Sequence, residues 1–316
     1  MVRPIVAEKP LKVCFIGSSH LAAAVLTSLL KNQTTSGIEL VGVVGRRSSK
    51  HSDDFVDILP LCGSAHDSIR KVYWEIPRET ATVVEFLSSL DCDLGLCFGW
   101  NWLLPESILK LPRFGFIGYH PTLLPSNRGR HPIIWTIQLG LRVTGSTLFR
   151  LTSQPDDGPI LSQQSVSLGP RETAQSLYLK LISIVPNQLE EVITLKRFQP
   201  EYLGLLVDNP PSSWRRRSKS EGVIDWRISA GQIDAIIRSL VWPYSGAQVW
   251  EPKAQSHAPI LESIPVKLPK GTDGSEPGRI LRVERNRLLI ACGDSSALWA
   301  CEHGLRRDYE IGDSLV

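Results

Sequence analysis

The opening of the chain alternates short apolar runs with a segment of helical spacing, and this order limits the fold more than any other feature. Residues 11–17 and 38–44 are predicted strands, and residues 21–31 between them are a predicted helix. A strand, a glycine turn and a helix in succession are typical of an α/β sheet, whose helix N-terminus can meet an anion. Because the turn lacks the full Gly-x-Gly-x-x-Gly, the sequence does not support a nicotinamide dinucleotide, although a phosphate could bind there.

The remaining chain continues this pattern and then changes to short strands. Helical spacing marks residues 82–90, 133–139, 172–195 and 233–240, and strand-like runs lie at 93–100, 114–119, 144–151, 160–167, 279–283 and 287–292. The 316 residues are long enough for two domains. We predict an α/β domain over residues 1–205, a linker over 206–230 that begins rich in Pro and Ser, and a C-terminal domain over 231–316 made of a helix and a small β-barrel.

Composition narrows the classes of protein that this chain can belong to. The net charge of +3 is too small to argue for nucleic acid by itself. The six cysteines form no Cys-x-x-Cys pair, and the seven histidines do not cluster with cysteines or carboxylates at ligand spacing, so we expect reduced core thiols and no metal site. No apolar stretch is long enough to span a membrane, and the polar first ten residues do not resemble a signal peptide. We therefore expect a cytoplasmic protein without a membrane partner.

One histidine stands where a catalytic group would be useful. His120 follows the predicted strand 114–119 and begins a loop that contains three prolines, and strand ends of α/β sheets are where ligands bind. Asp156 lies 36 positions later, in a turn between apolar segments. A carboxylate beside an imidazole favours the charged imidazolium and selects the protonated ring nitrogen, which is the equipment of general acid/base chemistry. In the alternative interpretation, His120 hydrogen-bonds a loop carbonyl and Asp156 begins a turn.

Four segments in order, 118–129, 135–140, 144–147 and 156–161, resemble the signature of the 10-formyltetrahydrofolate-dependent formyltransferases. This superfamily includes methionyl-tRNA, glycinamide ribonucleotide and sugar N-formyltransferases. Its pattern is Asn-x-His, a Ser/Thr-Leu-Leu-Pro loop, Arg-Gly, a Gly-x-Thr strand and Asp-x-Gly. Residues 242–247, Trp-Pro-Tyr-Ser-Gly-Ala, are closest to the sugar-type members. The resemblance covers nearly the whole chain and implies a Rossmann-like formyltransferase domain with a mostly parallel sheet, followed by a small OB-like β-barrel.

The resemblance also implies roles for individual residues. His120 would take the proton of an acceptor amine or steady an oxyanion as an imidazolium, and Asp156 would orient it and relay the proton to N10. Asp157 would replace Asp156 if the loop register differs by one. With N10-formyltetrahydrofolate as the formyl donor, the residues implied at the donor are Leu96, Phe98, Gly99, Trp100, Leu104, Ser153, Asp156 and Asp157. The residues implied at the acceptor are Gly17, Ser18, Tyr119, Arg128 and Arg130.

Gly118 is the one departure from the pattern, because it stands where the family has its Asn. That Asn is thought to hold the formyl oxygen as it becomes an oxyanion, and losing such a donor can cost about a hundredfold or more in rate. The possible substitutes are Asn101, Asn127, the Tyr119 hydroxyl and backbone N–H groups, and the sequence does not choose among them.

The acceptor is predicted less directly than the donor. Methionyl-tRNA formyltransferases usually carry a long basic insertion where this chain has the short polar loop 48–54, so we expect an amino sugar on a nucleotide. The first alternative is initiator methionyl-tRNA, which the basic residues 215–217 could contact, although a solvated linker explains them as well. The second alternative is a folate-binding protein that lost catalysis with its Asn, and a third is hydrolysis of the formyl-folate. A homodimer is left open.

Overall fold

A computed structural model describes residues 9–48 and 53–316. Most of the first ten residues, for which we expected no signal peptide, therefore lie outside the described residues. The same holds for most of the predicted loop 48–54. The described part divides into two compact units. The first unit holds the residues up to Arg128 together with Gly145–Val166 and Lys180–Ser213, and the second holds Gly129–Thr144, Ser167–Leu179 and Trp214–Val316.

A seven-stranded sheet organises the first part of the chain. Its strands are β1 Leu11–Gly17, β2 Ile38–Gly45, β3 Arg70–Tyr73, β4 Leu94–Phe98, β5 Phe116–His120, β7 Val143–Arg150 and β8 Ile160–Ser167, and a short strand, β6 Arg128–Gly129, pairs with β9 Ser213–Trp214. The order across the sheet is β3-β2-β1-β4-β5-β7-β8. The pairs from β3 to β5 are parallel and β5–β7 is antiparallel, so the mostly parallel Rossmann-like sheet predicted from the sequence is confirmed.

Six α-helices accompany the described strands. They are α1 His20–Ser36, α2 Thr80–Ser88, α3 Glu106–Leu109, α4 Pro132–Gln138, α5 Ala174–Thr194 and α6 Ala230–Leu240. Local sequence explains where they begin and end. The Ser19 hydroxyl accepts a hydrogen bond from the Ala22 amide at 3.2 Å and caps α1, which ends at Gly37 in a left-handed conformation with φ of 66°.

The pleat of the sheet assigns each side chain to one of two faces. Phe15, Phe98 and Tyr119 lie on one face. The ring centroid of Phe98 is 6.0 Å from that of Phe15 and 6.4 Å from that of Tyr119. His120 and Gly118 lie on the other face, because they alternate with Tyr119 along β5. The carboxyl ends of the parallel strands β1, β4 and β5 meet at one edge of the sheet, which brings the ends of three predicted site segments together.

The second unit is built on an antiparallel sheet and α6. The strands are β10 Ala247–Glu251, β11 Ser256–Lys267, β12 Ile280–Glu284, β13 Arg287–Cys292 and β14 Ser296–His303, in the order β10-β11-β14-β13-β12. The predicted C-terminal β-domain is therefore a five-stranded antiparallel sheet with β10 and β12 at its edges. One buried apolar cluster joins the inner faces of α6 and the sheet, including Ile233, Ile237, Ile260 and Leu298.

Most predicted elements agree with the structure within a few residues. The helix predicted at 172–195 is Ala174–Thr194, and the strands predicted at 160–167 and 287–292 have those bounds. The prediction missed β3, β10, β11 and β14, and also the two-residue strands β6 and β9. In the described part of the chain, no helix is long and apolar enough to cross a membrane, and no group of three or more possible ligand side chains could hold a metal ion.

Candidate active site

His120 is the last residue of β5, and its side chain is buried, with 5% of the residue exposed. Its Nε2 lies 3.1 Å from the backbone carbonyl oxygen of Asn127. Because a carbonyl oxygen can only accept, this contact assigns the proton of the neutral ring to Nε2. The other ring nitrogen, Nδ1, then carries a lone pair that is able to take a proton.

Asp156 faces that lone pair from the loop between β7 and β8. Its Oδ1 lies 3.6 Å from Nδ1 of His120, which is within range of an ion pair but too long for a hydrogen bond. Asp156 has a φ of 52°, a left-handed conformation that Asp tolerates better than most residues. Gly158 permits the turn, since a Cβ there would lie 1.7 Å from the Arg150 carbonyl oxygen. His120 therefore bonds a loop carbonyl, as the alternative interpretation expects, and its other ring nitrogen also faces a carboxylate.

The environment of His120 favours the neutral imidazole. Burial lowers its pKa below the usual value, while the Asp156 carboxylate and the Asn127 carbonyl raise it and do not outweigh burial. The sequence alone favoured a charged imidazolium beside Asp156. The structure differs because the cost of taking the ring out of water exceeds the attraction of a carboxylate that does not touch it. A neutral ring with a free Nδ1 lone pair is a general base.

Hydrogen bonds hold the loop that supplies the Asn127 carbonyl. The buried Thr122 hydroxyl donates to the Ser126 carbonyl at 3.0 Å, and Thr147 of β7 donates to the Thr122 carbonyl at 2.6 Å. Gln163 of β8 donates to the Leu124 carbonyl at 2.9 Å. The imidazole is thus fixed through its loop by two neighbouring strands, which keeps the Nδ1 lone pair aimed at Asp156.

Leu151 occupies the space beside Gly118. A Cβ at Gly118 would lie 2.3 Å from Cδ2 and 2.9 Å from Cγ of Leu151. The Asn side chain that the family pattern has at this position could not be accommodated without moving Leu151. The space next to His120 on this face of β5 is therefore filled by an alkyl side chain and not by an amide donor.

The proposed substitutes for that Asn are in different surroundings. The Tyr119 hydroxyl lies on the opposite face of β5, where burial raises its pKa, and it has no partner in hydrogen-bond geometry although Ser146 is near. The Ser146 hydroxyl donates instead to Gln188 at 2.7 Å. Asn127 meets His120 through its carbonyl, while its side-chain Oδ1 accepts from Ser212 at 3.3 Å. Asn101 is exposed in the turn after β4.

Five of the residues predicted at the donor lie in β4 or shortly after it. Leu96 and Phe98 are fully buried and point to the face opposite His120, so a ligand could reach only their backbone. Gly99 has a φ of 56°, and a Cβ there would overlap the Ser19 hydroxyl. The indole nitrogen of Trp100 is buried without a hydrogen-bond partner, and Leu104 is buried nearby in the same apolar cluster. A flat heterocycle could supply an acceptor to that indole N–H.

The other predicted residues have other partners or are exposed. Asp157 pairs with Arg128 at 2.5 Å and not with His120, so the loop register assigns Asp156 to the histidine. Gly17 ends β1, and the hydroxyl of the next residue, Ser18, donates to the Gly99 carbonyl at 3.4 Å. Two further predicted residues, Ser153 and Arg130, are exposed, and Arg130 belongs to the second unit.

Sequence reasoning missed two residues at this site. Asn127 was considered only for its side chain, although its carbonyl orients His120. Leu151 was not expected at the site, yet it lies on the Gly118 side of the sheet. Cys97, expected as a core thiol, lies on the same side. Burial raises the pKa of Cys97 to about 12, which makes it an unreactive packing residue. The sequence offered one signal for Leu151, which is the Gly at position 118 in place of the expected Asn. A missing side chain leaves space that a neighbouring residue must fill.

Comparison with known proteins shows which family combines these elements. Residues 11–193 match the family described as formyl transferase, and residues 216–305 match the formyl transferase C-terminal domain. The chain belongs to the formyl transferase family. A methionyl-tRNA formyltransferase of Aromatoleum aromaticum is 30% identical over 300 residues, covering 90% of this chain and 86% of the relative.

Two further proteins are similar to this chain, one in sequence and one in fold. The bifunctional polymyxin resistance protein ArnA of Wigglesworthia glossinidia brevipalpis is 35% identical over 168 residues, covering 52% of this chain. The match spans only 25% of that relative's length. The crystal structure of a Helicobacter canadensis N-formyltransferase with folinic acid and dTDP-3-aminofucose has a TM-score of 0.64 at 17% identity. It covers 92% of this formyl transferase and 98% of the neighbour, and it supports the fold.

Proposed function

We propose that this formyl transferase moves the formyl group of N10-formyltetrahydrofolate to the primary amine of a small acceptor, an amino sugar carried on a nucleotide. The observation that carries the proposal is the buried His120, whose Nδ1 lies 3.6 Å from the Asp156 carboxylate at the carboxyl edge of the sheet, in surroundings that lower its pKa through burial. The Helicobacter canadensis N-formyltransferase, which has a similar fold, was crystallised with folinic acid and the nucleotide-linked amino sugar dTDP-3-aminofucose.

The chemistry requires a group that accepts one proton and then returns it. The donor supplies an activated amide, whose formyl carbon the amine nitrogen attacks. His120 takes the proton that the amine loses, and the negative charge of Asp156 stabilises the imidazolium that forms. The bond between the formyl carbon and N10 then breaks, and the proton goes to N10. The products are a formamide and tetrahydrofolate, with no change in the number of protons or electrons.

The basic run 215–217 supports a small acceptor over RNA. Arg215 pairs with Glu221 at 2.5 Å and stacks on the Trp135 ring at 5.1 Å from its centroid. Arg217 is 8% exposed, and its guanidinium donates to the Glu221 carbonyl at 2.6 Å. Two of the three arginines therefore have partners within the second unit. Phosphate contacts dominate the affinity of proteins for nucleic acids, and this run offers few uncommitted charges for them.

Initiator methionyl-tRNA is the second candidate acceptor. It is favoured by the methionyl-tRNA formyltransferase relative, which matches 90% of this chain at 30% identity. The two candidates differ in their response to salt, because binding of tRNA would weaken steeply as salt rises and binding of one sugar nucleotide would not.

A turnover assay tests the proposal and its alternatives. Release of tetrahydrofolate from 10-formyltetrahydrofolate is followed with no acceptor, with a panel of nucleotide amino sugars, and with charged initiator tRNA. We expect release that depends on the amino sugars and falls by about 10²–10⁴ in His120→Ala. Release only with tRNA would refute the small acceptor, and release without any acceptor would indicate hydrolysis. Folate binding without release from any mixture would indicate a binding protein that has lost catalysis.

A further inference from the structure

Gly118 has no backbone reason to be glycine. It is not among the residues with a positive φ, and it lies in the middle of β5. Position 118 is occupied by glycine because there is no space for a side chain, since a Cβ would lie 2.3 Å from Leu151 Cδ2. Real Cβ atoms do not approach this closely, so any other residue at 118 would displace the Leu151 side chain.

Leu151 is also the point at which the Asp156 loop leaves the sheet. Its amide donates to the Phe116 carbonyl of β5 at 2.8 Å, and its side chain packs against two apolar clusters, one containing Phe116 and the other containing Phe149. At the far end of the loop, the Arg150 amide donates to the Pro159 carbonyl at 2.9 Å. Both ends of the loop are thus fixed beside residues 150 and 151, and Asp156 is held between them.

We infer that Leu151 is a positioning residue, which seats on Gly118 and thereby holds the Asp156 carboxylate at His120. In this interpretation Gly118 does more than lack the amide donor of the family's Asn. It leaves space for Leu151, whose packing there holds Asp156 beside His120. The catalytic consequence rests on the proposed function, whereas the positioning itself does not.

The test measures how strongly Asp156 acts on His120 when the Gly118–Leu151 contact is altered. The pKa of the His120 imidazole is measured by NMR with and without Asp156→Asn, and the resulting fall in pKa reports the coupling between the two groups. Besides burial, the groups that act on this imidazole are the Asp156 carboxylate and the Asn127 carbonyl. The measurement is made in the unaltered chain, in Gly118→Ala, in Leu151→Ala and in the double variant.

We expect the fall in pKa to be smaller in Gly118→Ala and in Leu151→Ala than in the unaltered chain. Gly118→Ala should have no further effect once Leu151 is shortened, because the two substitutions disrupt one contact. The value of kcat/KM should fall about tenfold or more in each single variant, since a small displacement of catalytic groups is costly. Gly231→Ala is the matched control, because a Cβ there meets no atom within 4 Å.

The inference would be overturned if Asp156→Asn lowered the His120 pKa as much in Gly118→Ala as in the unaltered chain. It would also be overturned if Gly118→Ala reduced this fall equally in the presence and in the absence of the Leu151 side chain. If Gly118→Ala does not fold, Leu151→Ala decides alone, and an unchanged coupling in it overturns the inference. The titration needs neither donor nor acceptor. A protein that shows the expected titrations and transfers no formyl group would therefore refute the proposed function and retain the positioning role.

Discussion

Replacing Asp156 by Asn is the sharpest test of the proposed base, because it removes one charge and almost no volume. The Oδ1 atom of Asp156 lies 3.6 Å from Nδ1 of His120. The imidazole is neutral before the reaction and positive after it has taken the amine proton. The carboxylate should therefore stabilise the transition state more than the ground state, which is the condition for an effect on rate.

The distance gives the size of the expected effect. At 3.6 Å, opposite unit charges attract by about 4–5 kcal/mol at an effective dielectric constant of about 20. This energy corresponds to about a thousandfold in rate, at about 1.4 kcal/mol for each factor of ten. The Asp156 side chain is 20% exposed, so solvent reduces the attraction. We expect kcat/KM to fall by about 10²–10³ in Asp156→Asn.

The pH profile provides an independent measurement. The base must be unprotonated, so kcat/KM falls as the pH decreases through the pKa of His120, which burial places below its usual value. Removing Asp156 lowers that pKa further and should shift the acid limb to lower pH. A loss of less than about threefold, or an acid limb that moves to higher pH, would refute the reasoning. Asp91→Asn is the control, since Asp91 is also left-handed, with a φ of 48°, and its side chain is 94% exposed.

Three further substitutions test the supporting structure. Gly158→Ala should lower the free energy of unfolding by about 1–3 kcal/mol in urea denaturation, because its Cβ would lie 1.7 Å from the Arg150 carbonyl oxygen. Asp234→Ala should lower the free energy of unfolding by about 3–5 kcal/mol in the same assay, since this 3% exposed carboxylate is the acceptor for the buried Ser263 hydroxyl and the largely buried Arg238 guanidinium. Glu221→Gln should be less stable than the unaltered chain at pH 7, and the difference should vanish toward pH 2, because hydrogen bonding from Arg215 lowers the pKa of Glu221 to about 2.

The sign of the last prediction follows from the direction of the shift. A lowered pKa adds stability that is complete above the unfolded value and is lost as the pH falls through the folded value, so a difference that grew on acidification would contradict it. For Gly158→Ala the control is Gly169→Ala, whose nearest contact to a new Cβ is 3.9 Å. If Asp234→Ala had the same free energy of unfolding in urea as the unaltered chain, the contacts of this carboxylate with Arg171, Arg238 and Ser263 would contribute little to stability.

The sequence was sufficient for the parts of the fold that are buried on both faces. In β1 five successive residues are buried, and such a strand is a continuous apolar run in the sequence. The strands that were missed lack this signal. β3 is an edge strand whose four residues, Arg-Lys-Val-Tyr, are exposed or half-buried, and β11 contains Pro259 and Pro265, which ordinarily argue against a strand inside a sheet.

The candidate site was predictable in its residue types and not in its contacts. Spacing and resemblance led to His120 and Asp156, because these residues belong to a motif. Leu151 belongs to no motif, and its contact with Gly118 depends on how β5 and β7 pair and on where the following loop turns. The protonation of His120 was also beyond the sequence, because it depends on the balance between burial and a charge 3.6 Å away.

The loop that orients His120 depends on residues far along the chain. The Ser126 hydroxyl donates to the Pro210 carbonyl at 2.7 Å, and the amides of Asn127 and Arg128 donate to the side chain and the carbonyl of Ser212, each at 2.9 Å. A chain ending at residue 205 would keep every residue of the base and lose all three bonds. Any gene fusion or natural shortening of this protein that retains formyl transfer should therefore keep the segment through residue 214. A protease that cuts within residues 208–212 should abolish formyl transfer without cutting near His120 or Asp156.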